Sequence, residues 1–323
     1  MTTKPVGAVT RRAVLGAAAL FSLAGCGGDE LIGAVTSSSP GDPPGEPDPS
    51  TPSSAPAPTE VSRRHDRLLE LEREFDARLG VYAIAVGTGN TVSHRADERF
   101  AFCSAFKGLA AAAVLHRHPM SYLDTVVTYT EADLMASSAI TEQHVATGMT
   151  IGALCDAAVR FSDGTAGNLL LRDIGGPAEL TAYTRSLGDT VTRMDRYEPT
   201  IVEATPGDPR DTTSPRAIGT DYHDIVLGAA LPAEKRDFLR DLLERNATLA
   251  GEQRIRAGLP AGWTVADKTG TGDYGTANDI GIVWPPDAEP IAIAIMSSKD
   301  ERDARYDNAL LAAATEYVVD MLA

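Results

Sequence analysis

Ser104 and Lys107 stand three residues apart in "FAFCSAFKGLAAAAVLHRH", residues 100–118, at the head of an alanine-rich segment. A free serine hydroxyl is a poor nucleophile and needs a neighbouring base. On a helix, positions i and i+3 share a face, so the Lys107 amine can reach the Ser104 hydroxyl. The N-terminus of such a helix also presents unpaired N–H groups where an oxyanion would form. These are parts of an acyl-transfer centre, although a serine at a helix start is most often a cap. Two further segments carry polar groups suited to the same chemistry. "RFSDGTAGNLLLRD" holds Ser162, Asp163, Gly164 and Asn168, and "DKTGTGDYG" holds Lys268, Thr269, Gly270 and Thr271. Taken singly, Ser162 and Asp163 read as helix caps, Asn168 as a satisfied buried amide and Lys268 as a strand-end surface lysine.

The elements that must position these groups follow from periodicity. Leu68, Leu71, Phe75 and Leu79 recur at helical spacing and Gly80 follows, which predicts an amphipathic helix over 63–79. "VYAIAVG" at 81–87 and the region 91–99 predict two strands joined by a Gly-Asn turn. From 104 to about 250 the pattern is mostly helical. Strands return at 263–270, 278–284 and 290–297, where Ile291, Ile293 and Ile295 alternate with alanines, and a helix over 303–321 closes the chain. This order predicts an α/β (α+β) fold. An antiparallel five-stranded sheet, built from 60–103 and 251–323 and flanked by terminal helices, would carry an inserted all-helical part, 104–250. A site belongs in the cleft where the two parts meet.

Ser-x-x-Lys, then Ser-Asp-x, then Lys-Thr-Gly, in this order and with these gaps, resembles the penicillin-interacting serine enzymes. A fourth segment, "RYEPTIVEATPGDPRDTTSP" at 196–215, looks like the omega loop of class A β-lactamases of actinobacterial type. The resemblance runs from about 63 to 323. It implies a β-lactamase/transpeptidase-like fold, a small-molecule β-lactam substrate and no cofactor or metal. Ser104 would attack the lactam carbonyl, with Lys107, or Glu198 through a water, taking its proton. Backbone N–H groups of Ser104 and Thr271 would form the oxyanion hole. Ser162 would pass a proton to the departing nitrogen, supported by Lys268, and Glu198 would activate the deacylating water. Thr269, Gly270, Thr271, Asn168 and Gly164 would border the substrate, and Arg254 would supply the cation for its carboxylate in place of the arginine that many relatives carry where this chain has Ala277. Arg196 and Asp211 would tie the loop's ends, and Asp163 would cap a helix.

Departures from the family pattern are as informative. Gly164 replaces the usual asparagine of the second motif, and Ser137 stands where an aromatic often walls the cleft. Val202 occupies the place of an asparagine that hydrogen-bonds the deacylating water, which predicts slow deacylation for some substrates. Cys103 faces Gly272 in the pattern, so the disulfide of some carbapenemases is absent. Two other functions therefore compete with a hydrolase. One is a β-lactam binder or sensor that acylates and stalls; the other is a penicillin-binding D,D-peptidase, which would lack Glu198 and its loop.

The rest of the 323-residue chain bounds its setting. With 43% hydrophobic residues it can bury a sizeable core in one large domain or two modest ones. A net charge of −16 argues against nucleic-acid binding, which needs clustered Lys and Arg. Thr10-Arg11-Arg12 precedes an apolar run from Ala13 to Leu23, too short to span a bilayer, which predicts an export signal over 1–26 of twin-arginine type. Leu23-Ala24-Gly25-Cys26 resembles a lipobox, in which Cys26 would be lipidated. Residues 27–59 are rich in Pro, Ser and Gly and predict a disordered tether. The implied protein is a cell-envelope lipoprotein or a secreted one, monomeric by default, touching a membrane only through its lipid. Cys103 and Cys155 are expected as free thiols, and His116 and His118 as the end of a helix rather than metal ligands.

Overall fold

A computed structural model describes residues 65–323. The predicted export signal, Cys26 and the tether lie outside the described residues. α1 (Asp66–Phe75) leads into the hairpin of β1 (Arg78–Ala85) and β2 (Thr91–His94), and β3 (Phe100–Ala101) precedes α2 (Phe106–Arg117). The short strands β4 (Val126–Val127) and β5 (Met149–Thr150) pair with each other before α3 (Ile151–Arg160), α4 (Gly164–Asp173) and α5 (Pro177–Ser186). A long loop then reaches β6 (Thr212–Thr213), which pairs with β3. After α6 (Pro215–Val226), α7 (Ala233–Glu244) and α8 (Leu249–Gln253) come β7 (Thr264–Thr271), β8 (Ala277–Trp284) and β9 (Ile291–Ser298), and α9 (Asn308–Leu322) ends the chain. The main sheet has the antiparallel order β2-β1-β9-β8-β7, so strands from both chain ends do lie side by side.

The period-2 alternation of β9 assigns its two faces. Ile291, Ile293 and Ile295 join Leu68, Leu71, Leu310 and Val318 of the terminal helices in one core. Ala292, Ala294 and Met296 face the other core, with α2, α3, α4 and α6. Alanines suit that face because α6 lies close to it: a Cβ at Gly219 would stand 3.3 Å from the Ala294 Cβ and 3.1 Å from the Tyr82 ring. α6 thus packs directly on the sheet, within a segment whose sequence reads only as helical.

Several boundaries move. The first helix ends at Phe75, where Asp76 takes a left-handed cap with φ 46°. Leu79 lies in β1 opposite Ser297, and Gly80 is a strand residue rather than a stop, placed where a Cβ would meet the Phe100 ring at 2.5 Å. Leu79 fits the helical spacing because it enters the same core as Leu68 and Leu71, but from a strand. β2 stops at His94, since Arg95 turns left-handed with φ 45°, and the last helix begins at Asn308 instead of 303. Cys103 and Cys155 are free and buried, as expected, and burial pushes both thiols up to about 12. His116 and His118 do close α2, where His118 stacks on Tyr122.

Ala294→Leu is expected to cost about 1–3 kcal/mol, because the seam against α6 has no space for three more carbons. A urea midpoint unchanged from the wild type would show that α6 can retreat freely.

Candidate active site

Ser104 lies in a 3-10 turn, Cys103–Ala105, that runs straight into α2. Cys103 has φ 48°, a left-handed conformation that a side chain rarely adopts without support from its surroundings. That support comes from distant parts of the chain. Asn278 Nδ2 of β8 donates to the carbonyls of Ala101 (2.9 Å) and Phe102 (3.1 Å), and Tyr222 Oη of α6 donates to that of Ala105 (2.7 Å). β7 presses in beside them. A Cβ at Gly270 would overlap the Phe102 carbonyl and come within 3.2 Å of the Ala105 nitrogen, so only glycine admits this approach.

The side chains then converge. Lys107 is fully buried, and its Nζ donates to Ser104 Oγ (3.0 Å) and the Ser162 carbonyl (2.8 Å) while standing 2.7 Å from Glu198 Oε1. An ammonium has three donors, and all three are engaged. Ser104 Oγ donates in turn to Glu198 Oε1 at 3.1 Å. On the far side Lys268 Nζ donates to Ser162 Oγ (3.1 Å) and the Thr269 carbonyl (2.9 Å). Ser162 is the second left-handed residue here, with φ 57°, which keeps its hydroxyl between the two lysines. Burial, reinforced by the nearby Lys107 charge, pushes Lys268 down to about 7, against the opposing pull of Asp267 and Asp279.

Glu198 is held by its backbone. Asn168 Nδ2 donates to the Glu198 carbonyl and Asn168 Oδ1 accepts its N–H, both at 3.0 Å. The loop's ends are tied by Arg196 Nε donating to Asp211 Oδ2 at 2.5 Å, while Asp211 Oδ1 accepts the N–H groups of Asp195 and Arg196. Asp163 caps α4 through Ala166 N and also accepts the N–H groups of Ile140 and Thr141, so it joins a cleft-edge loop to the helix.

Ser104, Ser162, Glu198, Val202, Thr269 and Thr271 line a cleft of about 470 Å³. A hollow of about 510 Å³ on the outer side of the 196–215 loop, bordered by Arg78, Arg99 and Pro206, contains none of these groups. Arg254 does not lie in the cleft wall. It is fully buried beneath it, donating to the carbonyls of Gly270 (2.8 Å) and Asn278 (2.7 Å), to Asn308 Oδ1 and to Thr271 Oγ1 (2.8 Å), so it reaches the cleft through the Thr271 hydroxyl. Among the described residues no group of His, Cys, Asp or Glu is arranged to hold a metal ion. Sequence reasoning missed Asn278 and Tyr222, whose partners lie 177 and 117 residues away. It also missed Asp267 and Asp279, buried acids whose carboxyls burial raises and which receive Arg256 Nη2 and the Ile255 N–H. Asp267 adjoins Lys268 in sequence, the one signal available for it.

A serine activated between a buried lysine and a carboxylate, with a second lysine and serine across the cleft, is an apparatus for acyl transfer. The comparisons with known proteins agree. The model of the β-lactamase enzyme family matches residues 63–321. A β-lactamase of Mycobacterium tuberculosis (strain H37Ra) is 55% identical over 264 residues, 80% of this chain and 85% of that protein. Among solved structures, a halotolerant bacterial β-lactamase is 53% identical with a TM-score of 0.78, covering 79% of this chain and 98% of its own. A class A β-lactamase from Clostridium kluyveri DSM 555 is 44% identical with a TM-score of 0.78, covering 79% and 97%. The chain belongs to the β-lactamase enzyme family, as a class A serine enzyme of actinobacterial type.

The lowered Lys268 value is directly measurable. An NMR titration of lysine labelled at Cε should show one resonance, lost in Lys268→Arg, titrating near pH 7 instead of near 10.5. Between those values the unfolded chain holds the extra proton, so this site's contribution to stability rises with pH across that window. A resonance titrating near 10 would mean that the ammonium is stabilised as such.

Proposed function

We propose that the chain hydrolyses the β-lactam amide of penicillins and related antibiotics through an acyl-enzyme on Ser104, and so confers resistance to them. Ser104 Oγ attacks the lactam carbonyl carbon and its proton leaves toward the Glu198–Lys107 pair. The N–H groups of Ser104 and Thr271 receive the oxyanion. As the C–N bond breaks, Ser162 passes its proton to the departing nitrogen and regains one from the Glu198–Lys107 pair, whose Lys107 Nζ lies 3.5 Å from Ser162 Oγ, so that Glu198 is again a carboxylate, while Lys268 stabilises the charge on the Ser162 oxygen. Thr269, Thr271 and Lys268 hold the substrate carboxylate, with Arg254 orienting Thr271. Glu198 then takes a proton from water, the water oxygen attacks the ester carbonyl, and Ser104 leaves with its proton restored.

One observation carries this reading: Glu198 Oε1 lies 3.1 Å from Ser104 Oγ and 2.7 Å from Lys107 Nζ. A carboxylate beside the nucleophile serves deacylation by water, and a penicillin-binding D,D-peptidase would lack Glu198 and its loop. Each of these groups comes from the one chain, so the proposed reaction needs no second copy of it. The Arg11-Arg12 pair and the Leu23–Cys26 sequence support export by the twin-arginine route and a lipid anchor at Cys26. Labelling with a palmitate analogue that persists in Cys26→Ala would remove the anchor.

The decisive experiment mixes residues 60–323 with a penicillin and follows intact mass and ring-opening absorbance. A Ser104 adduct that forms and decays over many turnovers is expected. An adduct that persists at one equivalent would make the protein a trap, with the apolar Val202 wall failing to hold a water. Arg254→Ala should raise KM for penicillins several-fold by freeing the Thr271 hydroxyl, and an unchanged KM would remove Arg254 from carboxylate binding.

A further inference from the structure

The two oxygens of Glu198 have different partners. Oε1 is held by Lys107 Nζ and Ser104 Oγ, whereas Oε2 has one side-chain partner among the described residues, the Ser137 hydroxyl at 3.4 Å. Ser137 and Glu198 both border the cleft, with Val202 contributing an apolar wall beside them. The contact depends on Gly164. A Cβ there would lie 2.5 Å from Glu198 Oε2 and closer still to Ser137 Oγ, so any side chain at 164 would separate the two.

The Ser137 loop is also fixed to α4 from several directions. The Gly164 N–H donates to the Ser137 carbonyl at 2.6 Å, Ser138 Oγ is 2.7 Å from Thr165 Oγ1, and Asp163 accepts the N–H groups of Ile140 and Thr141. Ser137 is therefore presented by a braced loop, at an exposed position on the cleft's edge.

We infer that Ser137 is a positioning residue for deacylation, its hydroxyl donating to Glu198 Oε2 and fixing the plane of the carboxylate that deprotonates the attacking water. This rests on the hydrolase reading above. Once Ser104 is esterified it can no longer donate to Glu198, so Lys107 on Oε1 and Ser137 on Oε2 are what remain to orient the carboxylate. A contact at the long end of the hydrogen-bond range in the free enzyme is suited to tighten at that stage. Residues 137, 164 and 202 form one arrangement in which the Ser137 hydroxyl, admitted by the bare Gly164, does positioning work that the apolar Val202 cannot do.

The test is Ser137→Ala beside the wild type, with pre-steady-state mass spectrometry of a penicillin reaction. We expect kcat to fall about 10- to 100-fold, the range in which small misplacement of a reacting group acts. KM should fall with it, so that kcat/KM, which reports acylation, stays within about twofold, and the Ser104 adduct should become the dominant species. With a donor removed from the carboxylate, the acid limb of the kcat–pH profile should move to higher pH, and Ser137→Thr should restore both. Gly164→Ala should produce the same defect, with no further loss on adding Ser137→Ala. A wild type that turns over beside an unaffected Ser137→Ala, or a variant in which kcat and kcat/KM fall together without adduct, overturns this inference alone. A wild type that forms no adduct overturns the hydrolase reading and the inference with it.

Discussion

The buried ammonium of Lys107 is the constraint around which the rest is arranged. A cation with no exposed surface is tolerated only where its charge and all its donors are matched. Here that match is spread over three pieces of chain far apart in sequence: Ser104 in its own turn, the Ser162 carbonyl at the start of α4, and Glu198 in the long loop. Desolvating the lysine therefore requires α2, the start of α4 and the long loop to close on one another. The groups that close it are the Ser104 hydroxyl, the Ser162 carbonyl and the Glu198 carboxylate, so burying Lys107 also fixes the relative places of the three residues on which the proposed reaction depends.

The sheet supplies the rigid side of this arrangement. β9 turns isoleucines toward the terminal helices and alanines toward α6, and α6 and β8 reach the chain on either side of Ser104 with Tyr222 and Asn278. β7 brings Lys268, Thr269 and Thr271 to the cleft at a distance that only Gly270 permits. Buried Asp267 of β7 itself and Asp279 of the neighbouring β8 lie near Arg254, Arg256 and Lys268. Burial and the Lys107 charge nevertheless outweigh those acids and leave the Lys268 proton loosely held.

The loop carrying Glu198 shows how an irregular segment can be as well defined as a helix. Arg196 and Asp211 join its ends, Asn168 holds the backbone of Glu198 from both sides, and Lys107 and Ser104 hold the carboxylate. Its precision is borrowed from α4, which presents Asn168 and, one turn earlier, Gly164 without a side chain. The smallness of residue 164 leaves the outer oxygen of Glu198 open to the cleft and to Ser137.

Much of this was legible in the sequence because it is local or ordered along the chain. The Ser104–Lys107 spacing, the Ser162 and Lys268 segments and the Arg196–Pro215 stretch identify the chemistry, and period-2 and helical patterns place the five strands and the terminal helices. Pattern failed where tertiary contact decides. Leu79 has helical spacing yet lies in β1, because burial on one core face is compatible with either element and the left-handed Asp76 breaks the helix first. Arg254 reads in the sequence as the cation for the substrate carboxylate, yet it lies beneath the cleft wall, since its donors meet carbonyls that only the folded sheet brings together. Asn278, Tyr222 and the pair of Ser137 with Glu198 had no sequence signal, because their partners are 61 to 177 residues away. Residue types and their order determined what reaction this chain is equipped for; the long-range packing that buries Lys107 decided which atoms meet, because hydrogen bonds and desolvation act over a few ångströms of space and take no account of distance along the chain.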